Sequence, residues 1–224
     1  MHSKRIQKKV KDDYNQIAEE FSGTRQFPWK DFELFKTYYR PNFSVLDLGC
    51  GNGRLLTFLK KEAYKTYLGI DQSGELLKQA RKEHPGMNFV EADMSEVLSI
   101  KEKVDAVFAI ASFHHLPRKD QLSTLKKWKK FLKPGGFIFM TNWNLHQRSF
   151  WPLLLRSILI PSYGFRGVLV PWQNKVLRFY FAFTKRRLDH LLKKTGFKVL
   201  LNEYTRDGES ATIFSGKNIL TIAQ

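Results

Sequence analysis

The chain has 224 residues, of which 42 % are apolar, which excludes a largely disordered protein and suffices for one domain with a full core. Lys and Arg number 38 against 21 Asp and Glu, a formal charge of +17 that points to a polyanionic partner or, failing that, an anionic membrane surface. Cys50 is the only cysteine, so an intrachain disulfide framework is excluded, a thiolate-rich metal site is close to excluded, and a reducing, cytoplasmic compartment is the default.

Lys8 to Glu20 reads as an amphipathic helix with Val10, Tyr14, Ile17 and Ala18 on one face. The basic start, Lys4 to Lys11, is followed by no apolar run, so no signal peptide is expected. Phe21 to Trp29 is irregular, broken by Gly23 and Pro28, and helical periodicity resumes over Asp31 to Tyr39 until Pro41. Ser44 to Leu48 is a short buried strand, Gly49 to Gly53 a turn, and Arg54 to Glu62 a helix. Tyr67 to Ile70 is the second strand, and Ser73 is placed to cap a helix through Glu83. Asn88 to Glu91 is the third strand. Val104 to Ala111, the fourth, is continuously apolar, as buried parallel strands are. Leu122 to Leu132 is a helix whose lysines face water, and Pro134-Gly135-Gly136 turns into a strand from Phe137 to Thr141.

Residues 144–184 break this rhythm with three prolines, two glycines and many aromatics, which reads as an insertion or lid with short helices at most. Its greasiest run, Trp151 to Leu159, is interrupted by Arg156, stops at Pro161 and is too short to span a bilayer. The alternation returns with a helix from Lys185 to Thr195, a turn at Gly196, a strand from Phe197 to Leu201, a turn at Asp207-Gly208, and a last strand from Ala211 towards Ile222 that Gly216 bulges or interrupts. The pattern implies one doubly wound α/β domain. It divides into an N-terminal helical cap (1–42), a cofactor-binding core (43–143), the basic aromatic insertion (144–184) and a C-terminal completion of the same domain (185–224).

The charge is concentrated. Residues 121–188 hold 13 basic groups and no Asp or Glu. Aromatics beside arginine suit unstacked bases on a phosphate track, an anionic bilayer, or simply the protein's own core. The exposed lysines Lys126, Lys127 and Lys129 are the first candidates for an RNA-binding face.

Asp47-Leu-Gly-Cys-Gly-Asn-Gly53 joins a strand to a helix, with Gly49, Gly51 and Gly53 free to bring backbone close to a ligand. A dinucleotide fingerprint wants Gly or Ala where Arg54 stands. Asp47 at the first strand end suits an ammonium or sulfonium, Asp71 at the second suits two ribose hydroxyls, and Asp93 after the third suits an adenine amine. Together they favour S-adenosylmethionine over a dinucleotide. Cys50 is simply small enough for the turn. No combination of Cys, His, Asp and Glu has metal-ligand spacing, so no metal is expected.

Val45-Leu-Asp-Leu-Gly-Cys-Gly-Asn-Gly53, Gly69-Ile-Asp71, Glu91-Ala-Asp-Met94 and Leu132-Lys-Pro-Gly-Gly136 together resemble the motifs of the class I S-adenosylmethionine-dependent methyltransferases. That resemblance implies a Rossmann-like methyltransferase fold, a mostly parallel seven-stranded sheet with an antiparallel terminal strand. It implies cofactor contacts from Tyr14, Gln72, Met94 and Ala111 beside the residues above. A narrower likeness covers Tyr14 to Trp29, Ala111 to Leu116 and Arg178 to His190. These segments are similar to the eukaryotic tRNA wobble-uridine carboxymethyl methyltransferases, which form a methyl ester in the anticodon loop with a small zinc-containing activator protein. Phe181 stands where that family has His, and Phe183 where it has Tyr.

Arg25, near Trp29, is the candidate in the N-terminal loop for closing over cofactor or substrate, since a guanidinium can grip a carboxylate bidentately. His115, with His114, would serve as base for a nitrogen or phenol acceptor. Trp143 follows the fifth strand, where acceptor groups sit. Arg178 and Tyr180 enter as catalytic candidates through the family resemblance alone. The leading reading is an S-adenosylmethionine-dependent methyltransferase acting on tRNA through the basic block 121–188. A methyltransferase of a small or lipid-like molecule, such as a quinone precursor, resting peripherally on a membrane, is the first rival. A non-catalytic nucleic-acid binding module that kept the fold is the second.

Overall fold

The structure, a computed structural model, describes residues 2–25, 27, 29–97, 100–159 and 163–224; the expected breakers Pro28 and Pro161 lie outside them. Alternation along the central strands sorts side chains into two apolar layers. Leu46, Leu48, Val107, Ala109, Ile138 and Met140 join one, whereas Val45, Ala106, Phe108 and Phe139 join the other. The first layer is covered by α1 (His2–Gly23), α4 (Gln121–Phe131) and α6 (Lys185–Lys194), through Ile6, Val10, Trp128 and Leu188 among others. The second is covered by a 3-10 segment (Lys30–Thr37), α2 (Leu56–Glu62) and α3 (Gly74–Glu83). Phe108 and Phe139 stack there, centroids 4.6 Å apart, with the Phe35 ring 5.3 Å from that of Phe139.

The strands are β1 (Phe43–Leu48), β2 (Tyr64–Asp71), β3 (Asn88–Glu91), β4 (Val104–Ile110), β5 (Leu132–Trp143), β6 (Gly167–Trp172), β7 (Val176–Phe181), β8 (Val199–Arg206), β9 (Glu209–Ala211) and β10 (Asn218–Ala223), with α5 (Trp151–Leu159) before β6. The main sheet runs β3-β2-β1-β4-β5-β10-β8-β9. The pairings from β3 to β5 are parallel, and β10 lies antiparallel between β5 and β8. The expected doubly wound sheet with an antiparallel terminal strand is therefore present. It has an eighth short strand, β9, because the Asp207-Gly208 turn folds the chain back on β8. Gly216 interrupts the final segment between β9 and β10.

Other expectations shift at their edges. The first helix starts at His2, the segment after Trp29 is 3-10 rather than α, and Pro134-Gly135-Gly136 is a bulge inside β5, where the partner of Val104 is Leu132 but that of Ala106 is already Phe137. The largest difference lies in residues 144–184. The prolines and glycines suggested short helices at most, and α5 is one, but β6 and β7 form a two-stranded hairpin of their own. Its turn places Gln173 and Asn174 at φ +46° and +56°, closed by Lys175 N–H to the Trp172 carbonyl at 2.9 Å. Pro171 is tolerated because a two-stranded sheet has only edge strands. The hairpin is clamped from both sides. Val168, Val170 and Tyr180 pack with Leu145, while Trp172 and Val176 pack on Ile17 of α1.

The N-terminal segment is tied to the far strands by one carboxylate. Asp31 is 1 % exposed and accepts from Thr205 Oγ1 (2.9 Å), Gly208 N–H (2.8 Å) and Asn218 Nδ2 (2.7 Å). Asp31→Ala strands three donors and is expected to lower unfolding free energy by about 3 kcal/mol, read from urea denaturation midpoints; a change below about 1 kcal/mol would show that the tie does not hold the segment.

Candidate active site

A cavity of about 520 Å³ opens at the carboxyl ends of β1, β2 and β4, where the sheet order reverses. Of the residues expected to hold a cofactor, Tyr14, Asp47, Gly49, Gly51, Asp71, Gln72, Asp93, Met94 and Ala111 border it. Gly53 does not. A Cβ at Gly53 would stand 2.7 Å from His84 Cδ2, so this glycine serves the turn and its packing rather than a ligand.

The acidic end is built by backbone. Asp71 accepts from Gly51 N–H and Ser73 N–H, both at 2.8 Å, one on each carboxylate oxygen. Burial pushes its pKa up and those two donors pull it back. Gly51 holds φ +55°, and a Cβ there would find nothing nearer than Leu76 at 4.0 Å, which leaves its backbone open to the cavity. Gly49 answers a different demand. A Cβ at that position would stand 2.3 Å from Ser112 Cβ. Asp47 is 1 % exposed and takes the Tyr67 hydroxyl on Oδ2 at 3.0 Å, while its buried Oδ1 has no partner. Burial, only partly offset by Tyr67, lifts its pKa to about 7. Asp93 spends Oδ1 on the backbone and hydroxyl of Ser95, both at 2.7 Å, and so caps a turn while bordering the cavity. Cys50 also borders it, its thiol pushed well up by burial beside Asp47 and Asp71.

The opposite end is aromatic and basic. Trp143 stacks on Tyr180 (5.2 Å, 18°), and Tyr180 on His114 (4.7 Å, 25°). The Arg178 guanidinium lies 5.4 Å from the Trp143 ring centroid and 5.3 Å from that of Tyr180. Arg178 is 2 % exposed and donates to the Tyr14 hydroxyl at 3.3 Å, and its Nε is buried without a partner. Tyr14 is 2.9 Å from His115 Nε2, and His115 Nδ1 is 2.6 Å from the Phe179 carbonyl. A carbonyl only accepts, so Nδ1 carries the proton, and Nε2 accepts from Tyr14. Burial lowers the His115 pKa to about 3. His114 accepts the Trp143 N–H on Nδ1 at 3.1 Å, and burial takes its pKa well below the usual range. Both histidines are neutral and their basic nitrogens are engaged, so the expected role of His115 as a base is corrected: it orients Tyr14.

Arg25 borders the cavity with its guanidinium over the Phe21 ring at 4.6 Å and its hydrogen bonds going to Thr24. Sequence reasoning missed Arg54, noted only for breaking a dinucleotide fingerprint. It borders the cavity, stacks on Trp29 at 4.9 Å, donates to the Phe27 carbonyl at 2.8 Å, and has its pKa lowered to about 10 by burial and by Arg25. Its signal was an arginine at the first position after the glycine turn.

Within the basic block, two of the lysines expected to face RNA also reach main-chain carbonyls. Lys127 donates to the Ser95 carbonyl at 2.7 Å, and Lys129 to that of Gly196. Phe179, Tyr180, Phe181 and Phe183 are core residues. Phe183 stacks on Phe113 at 5.4 Å, and neither Phe181 nor Phe183 borders the cavity, so these two departures lie outside the acceptor end.

Residues 45–136 match the family model for a methyltransferase domain. A protein of Encephalitozoon cuniculi described as a methyltransferase is 30 % identical over 192 residues, covering 84 % of this chain and 86 % of that one. The chain belongs to the methyltransferases. The methyltransferase is also 34 % identical over 139 residues to the tRNA (carboxymethyluridine(34)-5-O)-methyltransferase of Saccharomyces cerevisiae, covering 61 % of this chain but only 48 % of that longer relative. Among solved structures, a methyltransferase of Haloferax volcanii in complex with the Trm112 methyltransferase activator shares the fold, with a TM-score of 0.71, 18 % identity and 96 % of each chain covered. No helix among the described residues is long and apolar enough to cross a membrane.

The residues fit the cofactor. The unpartnered Asp47 Oδ1 matches a cationic donor, and the bare backbone at Gly51 leaves room beside it. Because Asp47 has a pKa of about 7 in the free protein, a cation must displace its proton at lower pH. S-adenosylmethionine is therefore expected to bind about tenfold more weakly at pH 6 than at pH 8 by calorimetry, and Asp47→Asn to bind weakly with that pH dependence flattened. An unchanged profile in the variant would remove Asp47 from the binding site.

Proposed function

We propose that this methyltransferase esterifies a carboxylate, specifically that of a 5-carboxymethyl group on the wobble uridine of a tRNA. The observation that carries the reading is Arg178, a guanidinium buried against the cavity that closes no ion pair among the described residues, feels Asp13 only at longer range, and keeps a buried Nε without a partner. Tyr14 and the surrounding rings keep the guanidinium charged, and a bound carboxylate would pair with it through two parallel hydrogen bonds. The same end of the cavity offers no free base, because His114 and His115 are both neutral and engaged. An acceptor that must lose a proton first would be poorly served. A carboxylate is already ionised near neutral pH and needs orientation and removal of water.

Bound S-adenosylmethionine supplies a methyl group on a sulfonium. On this reading Asp47 and Asp71 hold the donor's cationic and ribose portions. Arg178 holds the acceptor carboxylate, aimed by the chain His115–Tyr14–Arg178, and Trp143 and Tyr180 provide a flat wall for the uracil. Arg25 closes the open side. The likeness to enzymes named for carboxymethyluridine supports the choice of acceptor. The activator complex of the archaeal neighbour supports a small activator protein as a partner. A small, lipid-like acceptor is the second reading, favoured by the exposed Leu155 and Leu159 on α5.

The test is mass spectrometry of nucleosides after incubation of tRNA, from cells lacking this enzyme, with labelled cofactor. The expected product is a carboxymethyluridine methyl ester whose label is released by mild alkali. Label in an alkali-stable position would overturn the reading. Arg178→Met is expected to lower kcat/KM by about 30- to 1000-fold, the loss of one buried charge pair, while S-adenosylmethionine affinity changes less than about threefold.

A further inference from the structure

The anticodon loop of a tRNA extends far beyond a cavity of about 520 Å³, so the rest of the RNA must rest on the outer surface. Phosphates need cations that the protein does not use itself. Among the described residues, every ion pair takes a lysine as its cation, and no arginine is ion-paired.

Arg118 and Arg166 lie near enough to Arg187, at the start of α6, for their charges to act on it. Arg187 donates from Nη2 to Gln121 Oε1 at 3.3 Å, and Gln121 donates to the Leu116 carbonyl at 3.2 Å. That relay ties the first turn of α6 to the segment holding the exposed Arg118. Arg166 is tied to the same place because its carbonyl accepts the Ala182 N–H at 2.9 Å, two residues before Thr184, which caps α6. Nothing local relieves the charge. The first turn of α6 has no acidic residue and carries Lys185, Arg186 and Arg187 against the helix dipole. Of the nearby acids, Asp189 is paired with Lys193, and Asp120 accepts from the Ser3 hydroxyl and closes no ion pair with these arginines among the described residues. Arg187 Nε is buried without a partner. Burial depresses the Arg187 pKa, and the neighbouring charges of Arg118 and Arg166 add to it in smaller measure.

We propose that Arg118, Arg166 and Arg187 form a docking site for backbone phosphates of the RNA whose nucleotide enters the cavity. The inference rests on the tRNA reading and adds where the RNA lies. The guanidinium fork matches a phosphate bidentately. Leu116, two residues before Arg118, borders the cavity, so the cluster adjoins its wall. Arg166 lies 5.6 Å over the ring of Phe165, which is 48 % exposed, a flat pair on which a base can stack. A bilayer is the poorer match, since the exposed leucines belong to α5 rather than to this cluster.

The experiment titrates an unmodified tRNA transcript onto the full chain at several salt concentrations, with the Arg118→Gln, Arg166→Gln, Arg187→Gln triple variant beside it. The variant is expected to bind about tenfold or more weakly near physiological salt, and the slope of log K against log salt to fall by about 2. Its affinity for S-adenosylmethionine should not change. Equal tRNA affinity and slope would overturn the site. Should the triple variant lose cofactor affinity, and hence its fold, the exposed pair Arg118→Gln, Arg186→Gln decides instead, with a slope lower by about 1 expected and an unchanged slope overturning the inference. Loss of binding to phosphatidylserine vesicles with tRNA affinity intact would also overturn it, in favour of a membrane. A wild-type chain with no salt-sensitive tRNA affinity would defeat the tRNA reading itself, a different outcome from a salt-sensitive wild type matched by its variant.

Discussion

Two buried groups of opposite charge, each short of a partner, set the logic of this molecule. Asp47 Oδ1 lacks one at the strand-end side of the cavity, and Arg178 Nε lacks one at the hairpin side. Each is compensated only in part: Tyr67 bonds Asp47, whose pKa burial still lifts to about 7, and Tyr14, three aromatic rings and the more distant Asp13 support the charge of Arg178. The packing around them has to be strong enough to hold both. The stacked phenylalanines under the sheet and the aromatic run from His114 through Tyr180 to Trp143 supply that rigidity. A cationic donor and an anionic acceptor would each relieve one of the two deficits.

Much of this was legible in the sequence because it depends on short-range rules. Apolar runs ending in Asp47 and Asp71, followed by glycines or a helix cap, specify strand, turn and helix in order, and the residues that border the nucleotide end sit at those junctions. The hairpin was not legible. Its strands mix Pro171 with a dense aromatic run, and its turn is Gln173-Asn174 rather than a glycine pair, so neither alternation nor turn chemistry stood out. Gly53 was misassigned for a related reason. A glycine required by a neighbouring side chain, here His84, looks the same in sequence as one required by a ligand.

The histidines show the limit of reading chemistry from residue type. His114-His115 after the fourth strand suggested a base. Only the three-dimensional contacts reveal that a main-chain carbonyl, a main-chain amide and a tyrosine occupy the nitrogens. The same is true of the basic block. The acid-free composition was real, but it could not tell which cations were consumed by carbonyls and which were left over. Both lysines and arginines reach carbonyls, but among the described residues only lysines close ion pairs.

Among the described residues the β6–β7 hairpin shares no ladder with the main sheet. Arg178 and Tyr180 thus ride on a hairpin whose register is set by its own turn, although Phe179 and Phe181 pack into the main core and α1 clamps the far side, while the nucleotide shelf belongs to the large sheet. Insertions or exchanges in that module can re-aim the acceptor wall and leave donor handling untouched. Divergence towards new acceptors has, in this architecture, a separable piece of chain on which to work.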